Sequence, residues 1–135
     1  MRIYIASPYI SQMIINEKLF SLLNGNGYNV FLPISLNIDA TTEDAMQIVA
    51  TRCYDEIDNC DAMLIVHPYG KSVSAEIGYA ISERRHNHSG RKLILFNADK
   101  SNIDSLIKTQ QEVMINPYID YQTDNFEELL AYLRK

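Results

Sequence analysis

The sequence predicts an α/β protein: a single-domain, mostly parallel five-stranded sheet with helices on both faces, of the flavodoxin or Rossmann-like kind. Three observations predict it. Short apolar runs alternate with longer amphipathic ones along the chain. The runs at 62–66 (AMLIV) and 92–96 (KLILF) are too apolar for strands with one wet face, and suit strands covered on both sides. No repeat or low-complexity linker breaks the alternation, which argues for one parallel sheet.

Each element has its own signal. Residues 1–6 (MRIYIA) read as a buried strand, and residues 10–24 carry Ile14, Ile15, Leu19, Leu22 and Leu23 at helical spacing. Asn24-Gly25-Asn26-Gly27 ends that helix and turns the chain, and residues 28–32 form a second strand stopped by Pro33. Thr41-Thr42-Glu43-Asp44 supplies acceptors for orphan N–H groups, so a helix should open there and run to about Asn59. The third strand follows at 62–66, a helix is expected over 75–85, and the fourth strand at 92–96. A last strand around 113–119 and a helix over 125–134 complete the series.

With 135 residues the chain is expected to be one domain, 1–135, burying roughly two-thirds of the surface its unfolded form exposes. The formal charge of −5 creates no field for a polyanion, so nucleic-acid polymers are not expected partners. There is no signal-like leader and no apolar run near the roughly 18 residues a membrane span needs, so a cytoplasmic protein without membrane partners is expected. Cys53 and Cys60 lie seven residues apart, on one face of the expected helix, and read as buried reduced thiols rather than a disulfide or metal pair. No metal and no cofactor is expected.

In open parallel sheets ligands bind beyond the carboxyl ends of the strands. Those ends are Ser7-Pro8-Tyr9, the stretch after Phe31, residues 67–74 and Asn97-Ala98-Asp99. Glu76 follows the third of these, in the first turn of its expected helix. Its plain reading is an acid favoured by the helix dipole, worth a few tenths to about 1 kcal/mol. The company of Gly70, Ser72 and Ser74 argues for more, because bare backbone and hydroxyls are what hold sugars or phosphates. The loop is neither a Walker A loop nor a dinucleotide fingerprint. His67 is either a packed strand end or a pocket acid or base, while His86 and His88 sit in a polar loop without acidic partners at ligand spacing. Arg84, Arg85, Arg91 and Lys92 flank that loop, where cations complement a helix end.

Three segments in order, IYIASPY, NCDAMLIVHPYG and SAEIGYA, resemble the nucleoside 2-deoxyribosyltransferase family, including the related 2'-deoxynucleoside 5'-monophosphate N-hydrolases. A fourth, EVMINPYIDY, is similar to the family's late Met-Ile segment, which reaches into a neighbouring subunit's site; Met114 is its methionine. The resemblance implies that Glu76 attacks the anomeric carbon of a 2'-deoxyribosyl group and forms a glycosyl ester, later released to a base or to water. It implies that Tyr4 holds or tunes that carboxylate, although Tyr4 as a strand residue also suits mere packing. Ser7, Pro8 and Tyr9 would wall the pocket, and Tyr9 can stack on a base. The implied partners are a small-molecule nucleoside or nucleotide and further copies of the chain in a homo-oligomer.

The departures are specific. Cys53 stands where many family members carry Asp or Asn, and Asp55 and Asp58 point elsewhere on the same helix. Gly70 and Ser72 stand where transferases favour Asp and Gly. Ser7, Ser72 and Ser74 suit a 5'-phosphate, whereas Glu112 falls where a neighbour's hydroxyl is expected and would repel one, which favours a neutral nucleoside. A ligand-binding or sensor module without turnover is the alternative that Cys53 and Gly70 favour.

Overall fold

The computed structural model describes residues 1–36, 38–87, 90–99 and 114–135. Its strands are β1 (Arg2–Ala6), β2 (Asn29–Phe31), β3 (Ala62–His67), β4 (Lys92–Asn97) and β5 (Tyr121–Thr123). Its helices are α1 (Met13–Gly25), α2 (Glu43–Asn59), α3 (Lys71–Asn87) and α4 (Phe126–Leu133). The strands form one five-stranded sheet in the order β2-β1-β3-β4-β5, and every pairing is parallel. This is the doubly wound arrangement in which the order reverses beside β1, leaving a crevice at the carboxyl ends of β1 and β3.

Strand periodicity divides the core in two. Tyr4, Ala6, Met63, Ile65, Leu93 and Leu95 face one way and pack with Cys53 and Ile57 of α2 and Val73, Ile77, Ala80 and Ile81 of α3. Ile3, Ile5, Leu64, Val66, Ile94 and Phe96 face the other way, against Leu19 and Leu23 of α1 and Leu129, Leu130 and Leu133 of α4. β3 is buried at every position, as its uninterrupted apolar sequence predicts.

The helix starts follow their capping chemistry. The Thr42 hydroxyl accepts from the Ala45 amide at 3.1 Å, and Glu43 and Asp44 occupy the first turn of α2. The Asn125 side chain accepts from the amides of Glu127 and Glu128, which fixes α4. At the far end of α2 the buried Arg91 donates to the carbonyls of Asp58 and Cys60, satisfying a helix terminus that has few partners of its own. Arg84 acts at the same end of the sheet, donating to the Arg91 carbonyl, pairing with Asp120 at 2.7 Å and donating to the Tyr118 carbonyl.

Three expectations need correction. The last strand is Tyr121–Thr123, not 113–119. Within the expected span, 114–119 is a turn followed by a 3-10 segment, Asn116–Tyr118, because Pro117 fixes its φ and has no N–H for a ladder; Val113 and Glu112 lie outside the described residues. α3 begins at Lys71 rather than 75, since the chain coils directly from Gly70: the Ser74 amide and hydroxyl both donate to the Gly70 carbonyl, at 3.1 and 2.9 Å. Cys60 caps α2 instead of sharing a helical face with Cys53, and its thiol donates to the Ile57 carbonyl. Both thiols are buried and unbridged.

The two-sided burial of β3 sets the stability of the sheet. Ile65→Ala, at a fully buried position, is expected to lower the unfolding free energy by about 2–5 kcal/mol in urea titrations. Ile48→Ala, on the exposed side of α2 with 57% of its surface in solvent, should stay within about 0.5 kcal/mol of the parent.

Candidate active site

β1 delivers the first group of the site. Its alternation sends Tyr4 toward α2 and α3, where the side chain is fully buried and its ring stacks on Phe31 at 5.5 Å. The parallel register sets Tyr4 beside Phe31 of β2 and Met63 of β3, so the hydroxyl is held by the middle of the sheet and not by a loop.

α3 delivers the second. Val73, Ile77, Ala80 and Ile81 bury its inner face, and Glu76, next to Ile77 and one turn from Val73 and Ala80, lies along the edge of that face. One Glu76 carboxylate oxygen and the Tyr4 hydroxyl are both buried without a partner at hydrogen-bonding geometry among the described residues. Burial pushes the Glu76 carboxyl up to about 7, and the nearby Tyr4 hydroxyl pulls it partly back. The same burial, reinforced by Glu76 and then Cys53, holds Tyr4 far above the ordinary tyrosine range. The carboxylate sits in the second turn of α3, past the first turn in which the helix dipole acts most strongly, and burial is the largest influence on it.

Between α2 and α3 lies a cavity of about 280 Å³. Met46, Val49, Ala50 and Cys53 line it from one face of α2, at spacings of three, four and seven residues, together with Tyr54 and Ala40. Ser72, Ala75 and Glu76 line it from α3. The walls are mostly apolar, and Glu76 is the carboxylate among the lining residues. Larger hollows of about 640 and 710 Å³ lie on the outer side of α2 and along α1 and α4, lined by exposed or half-buried residues. Beneath the cavity the two helices are fastened together: the Tyr79 hydroxyl donates to Asp58 at 2.6 Å, which pushes Tyr79 up to about 12, and the Tyr54 and Tyr79 rings meet at 4.6 Å.

Of the residues singled out from the sequence, Glu76, Ser72 and Cys53 line this cavity, and the fully buried Tyr4 lies close to Glu76 without lining it. Ser7 and Pro8 are half-buried at the end of β1 and Tyr9 is exposed, and none of the three lines the cavity. Gly70 precedes α3 in the open, and the Ser74 hydroxyl is engaged by the Gly70 carbonyl. Met114 is 81% exposed and away from the cavity wall. His67 packs at the top of β3 against the Tyr69 ring and the Asn97 side chain, and His86 bonds back to the Ser82 carbonyl. His88 lies outside the described residues. Among the described residues no cluster of three metal-ligating side chains forms. The α2 contribution, Met46, Val49, Ala50 and Tyr54, was not identified from the sequence, although its helical spacing carries the signal.

No family model matches the chain, and no curated relative matches it. Solved structures do. A 2-deoxyribosyltransferase from the psychrotolerant bacterium Bacillus psychrosaccharolyticus superposes with a TM-score of 0.76 at 18% identity, covering 96% of this chain and 90% of that one. A conserved protein from Enterococcus faecalis V583 gives 0.65 at 16% identity, over 99% and 97% of the two chains. A 2-deoxyribosyltransferase from Leishmania mexicana gives 0.61 at 18%, over 98% and 95%. The chain thus has the fold of the 2-deoxyribosyltransferases over nearly its whole length.

The buried carboxyl has a consequence for stability. Because burial raises Glu76 from 4.5 to about 7, the native state binds more protons than the unfolded state between those values. Its contribution is full below about pH 4.5 and is lost as pH rises through 7, by up to about 3 kcal/mol. Denaturant unfolding of Glu76→Gln and the parent from pH 4 to 8 should therefore show the difference moving in the variant's favour, mainly between about pH 5 and 7. A difference that stays constant would place the carboxyl in water.

Proposed function

We propose that this protein cleaves the N-glycosidic bond of a 2'-deoxynucleoside, with Glu76 as the nucleophile and Tyr4 as the group that holds it. The observation that carries the reading is the buried Glu76 carboxyl facing the Tyr4 hydroxyl in an apolar cavity at the carboxyl edge of a parallel sheet. The fold shared with two 2-deoxyribosyltransferases and the motif resemblance support it.

Ionised Glu76 attacks the anomeric carbon as the bond to the base breaks, giving a glycosyl ester and the free base. A second base, or water, then displaces the carboxylate from the same carbon and returns it to the start. The positive charge that builds on the sugar is stabilised by the carboxylate, more effectively in an apolar cavity than in water. The Tyr4 hydroxyl donates to the carboxylate and keeps one oxygen directed at the sugar. Ser72, exposed at the cavity rim, meets a sugar hydroxyl in this reading, while Ser74, bonded to Gly70, is spent inside the helix turn; this supply of hydroxyls supports a nucleoside rather than a 5'-monophosphate. Met46 and Met114, 52% and 81% exposed, suit coverage by a neighbouring copy in a homo-oligomer. A second reading, a module that binds such a ligand without turnover, is favoured by the thiol of Cys53 at the position where the resemblance expects an acid.

The deciding experiment incubates purified protein with the four deoxynucleosides and their 5'-monophosphates, with and without an acceptor base, and follows free base by chromatography. Base release from the nucleosides, lost by about a thousandfold or more in Glu76→Ala, is expected. A 2-fluorinated nucleoside should leave a glycosyl mass on Glu76. Melting shifts without any product would favour the binding module. For the active protein kcat/KM should rise with pH through about 7, as the carboxyl ionises, and Tyr4→Phe should move that rise to higher pH because the hydroxyl holds the carboxyl down.

A further inference from the structure

Glu76 stands without a counter-charge. Among the described residues the ion pairs join Arg2 and Arg52 to Glu56 and Arg84 to Asp120, and none reaches Glu76. One of its carboxylate oxygens is buried without a partner, in the wall of a cavity whose other lining residues are aliphatic, thioether, thiol, phenol and hydroxyl side chains. The acids of the facing helix serve elsewhere: Asp55 lines the hollow on the outer side of α2, and Asp58 accepts from Tyr79. An anion drawn out of water without a cation is unfavourable, so the ligand that completes such a cavity brings positive charge with it. Tyr54 adds an aromatic side chain to the wall, and aromatic rings attract cations.

The same lining bears on the leaving group. A neutral purine or pyrimidine departs as an anion unless an acid protonates it, and such an acid contributes about 10²–10⁴-fold. From α2 the wall offers Cys53, a weak S–H donor whose proton burial holds more tightly, and from α3 the Ser72 hydroxyl. A base that already carries a fixed positive charge departs neutral and needs neither.

We propose, on the reading that Glu76 is the nucleophile, that the preferred substrate is a nucleoside whose base bears a fixed positive charge, a pyridinium or an N-alkylated purine, with the Glu76 carboxylate as its counter-ion. A Glu76 oxygen bonds to the anomeric carbon as the carbon–nitrogen bond breaks; the bonding pair passes to the ring nitrogen and cancels its charge, and no proton is transferred. Positive charge thereby moves from the base onto the sugar, next to the attacking carboxylate, so the attraction strengthens in the transition state. Water then bonds to the same carbon, breaks the ester and gives its proton to solvent, which returns Glu76 as a carboxylate.

The test has a binding arm and a turnover arm. Calorimetric titration at pH 8 with 1-methylnicotinamide and with its neutral counterpart nicotinamide should show the cation binding about tenfold or more tightly. That preference should vanish in Glu76→Gln, and in the parent it should shrink toward pH 5 as the carboxyl is protonated; Tyr4 from β1 and Cys53 from α2 are the titratable groups that face it. In the turnover arm, with enzyme-free breakdown subtracted, kcat/KM for nicotinamide 2'-deoxyriboside should exceed that for the fastest of the four neutral deoxynucleosides by about a hundredfold or more. Equal binding of the two nicotinamides overturns the proposal. So does a neutral deoxynucleoside cleaved within about tenfold of the pyridinium substrate, an outcome that leaves the N-glycosidic reading intact. Cation preference that depends on Glu76, with no base released from any substrate, would instead remove the N-glycosidic reading and keep the cavity as a site for cationic rings.

Discussion

Glu76 keeps one carboxyl oxygen out of water near the Tyr4 hydroxyl, and much of the surrounding packing bears on those two groups. They come from different layers: Tyr4 from the centre of the sheet, Glu76 from a helix laid over it. Neither would stay in place on a free loop, because each buried oxygen without a closed hydrogen bond costs on the order of 1–3 kcal/mol, which local relaxation to solvent would recover. The surrounding apolar packing prevents that relaxation. Val73, Ile77, Ala80 and Ile81 press α3 onto Met63 and Ile65, and Phe31 covers the Tyr4 ring.

The clamp between α2 and α3 serves the same end. A cavity between two helices tends to close unless something holds them apart and in register. Here the Tyr79–Asp58 bond and the Tyr54–Tyr79 contact lie below the cavity, while Arg91 ties the end of α2 to the approach to β4. Two polar anchors and one aromatic contact are therefore at the floor, and the apolar residues Met46, Val49 and Ala50 line the space above. The cavity is thus held from one end and walled by apolar side chains at the other.

Most of the fold was legible in the sequence because its signals are local. AMLIV at β3, the Thr42 cap and the Asn24–Gly27 turn each state an element through a few adjacent residues. The last strand was misplaced because its apolar neighbours, Ile115 and Ile119, face the core from a turn, and only Pro117 betrayed the lack of a ladder. The start of α3 was placed one turn late because two serines read as loop, although Ser74 bonds back into the helix. The site was legible in part. Tyr4 and Glu76 stand in motifs, but their proximity depends on strand parity and helix placement together, and the α2 wall is formed by side chains that only tertiary packing identifies as lining residues. The burial of Glu76 was not legible in the sequence, because burial is a three-dimensional quantity, and its effect on the carboxyl is opposite to the one a helix terminus suggests.

β1 has a further consequence. It is a five-residue strand in which alternate positions belong to different cores, Ile3 and Ile5 to one and Tyr4 and Ala6 to the other. Such a strand works as a ruler with two graduations: moving the chain by one residue exchanges the contents of both sides at once. The tyrosine hydroxyl would enter the oily layer against α1 and α4, and an isoleucine would come to stand beside the carboxyl. An insertion or deletion of a single residue inside these five would therefore undo both cores at once, whereas the surface loops carry no such constraint.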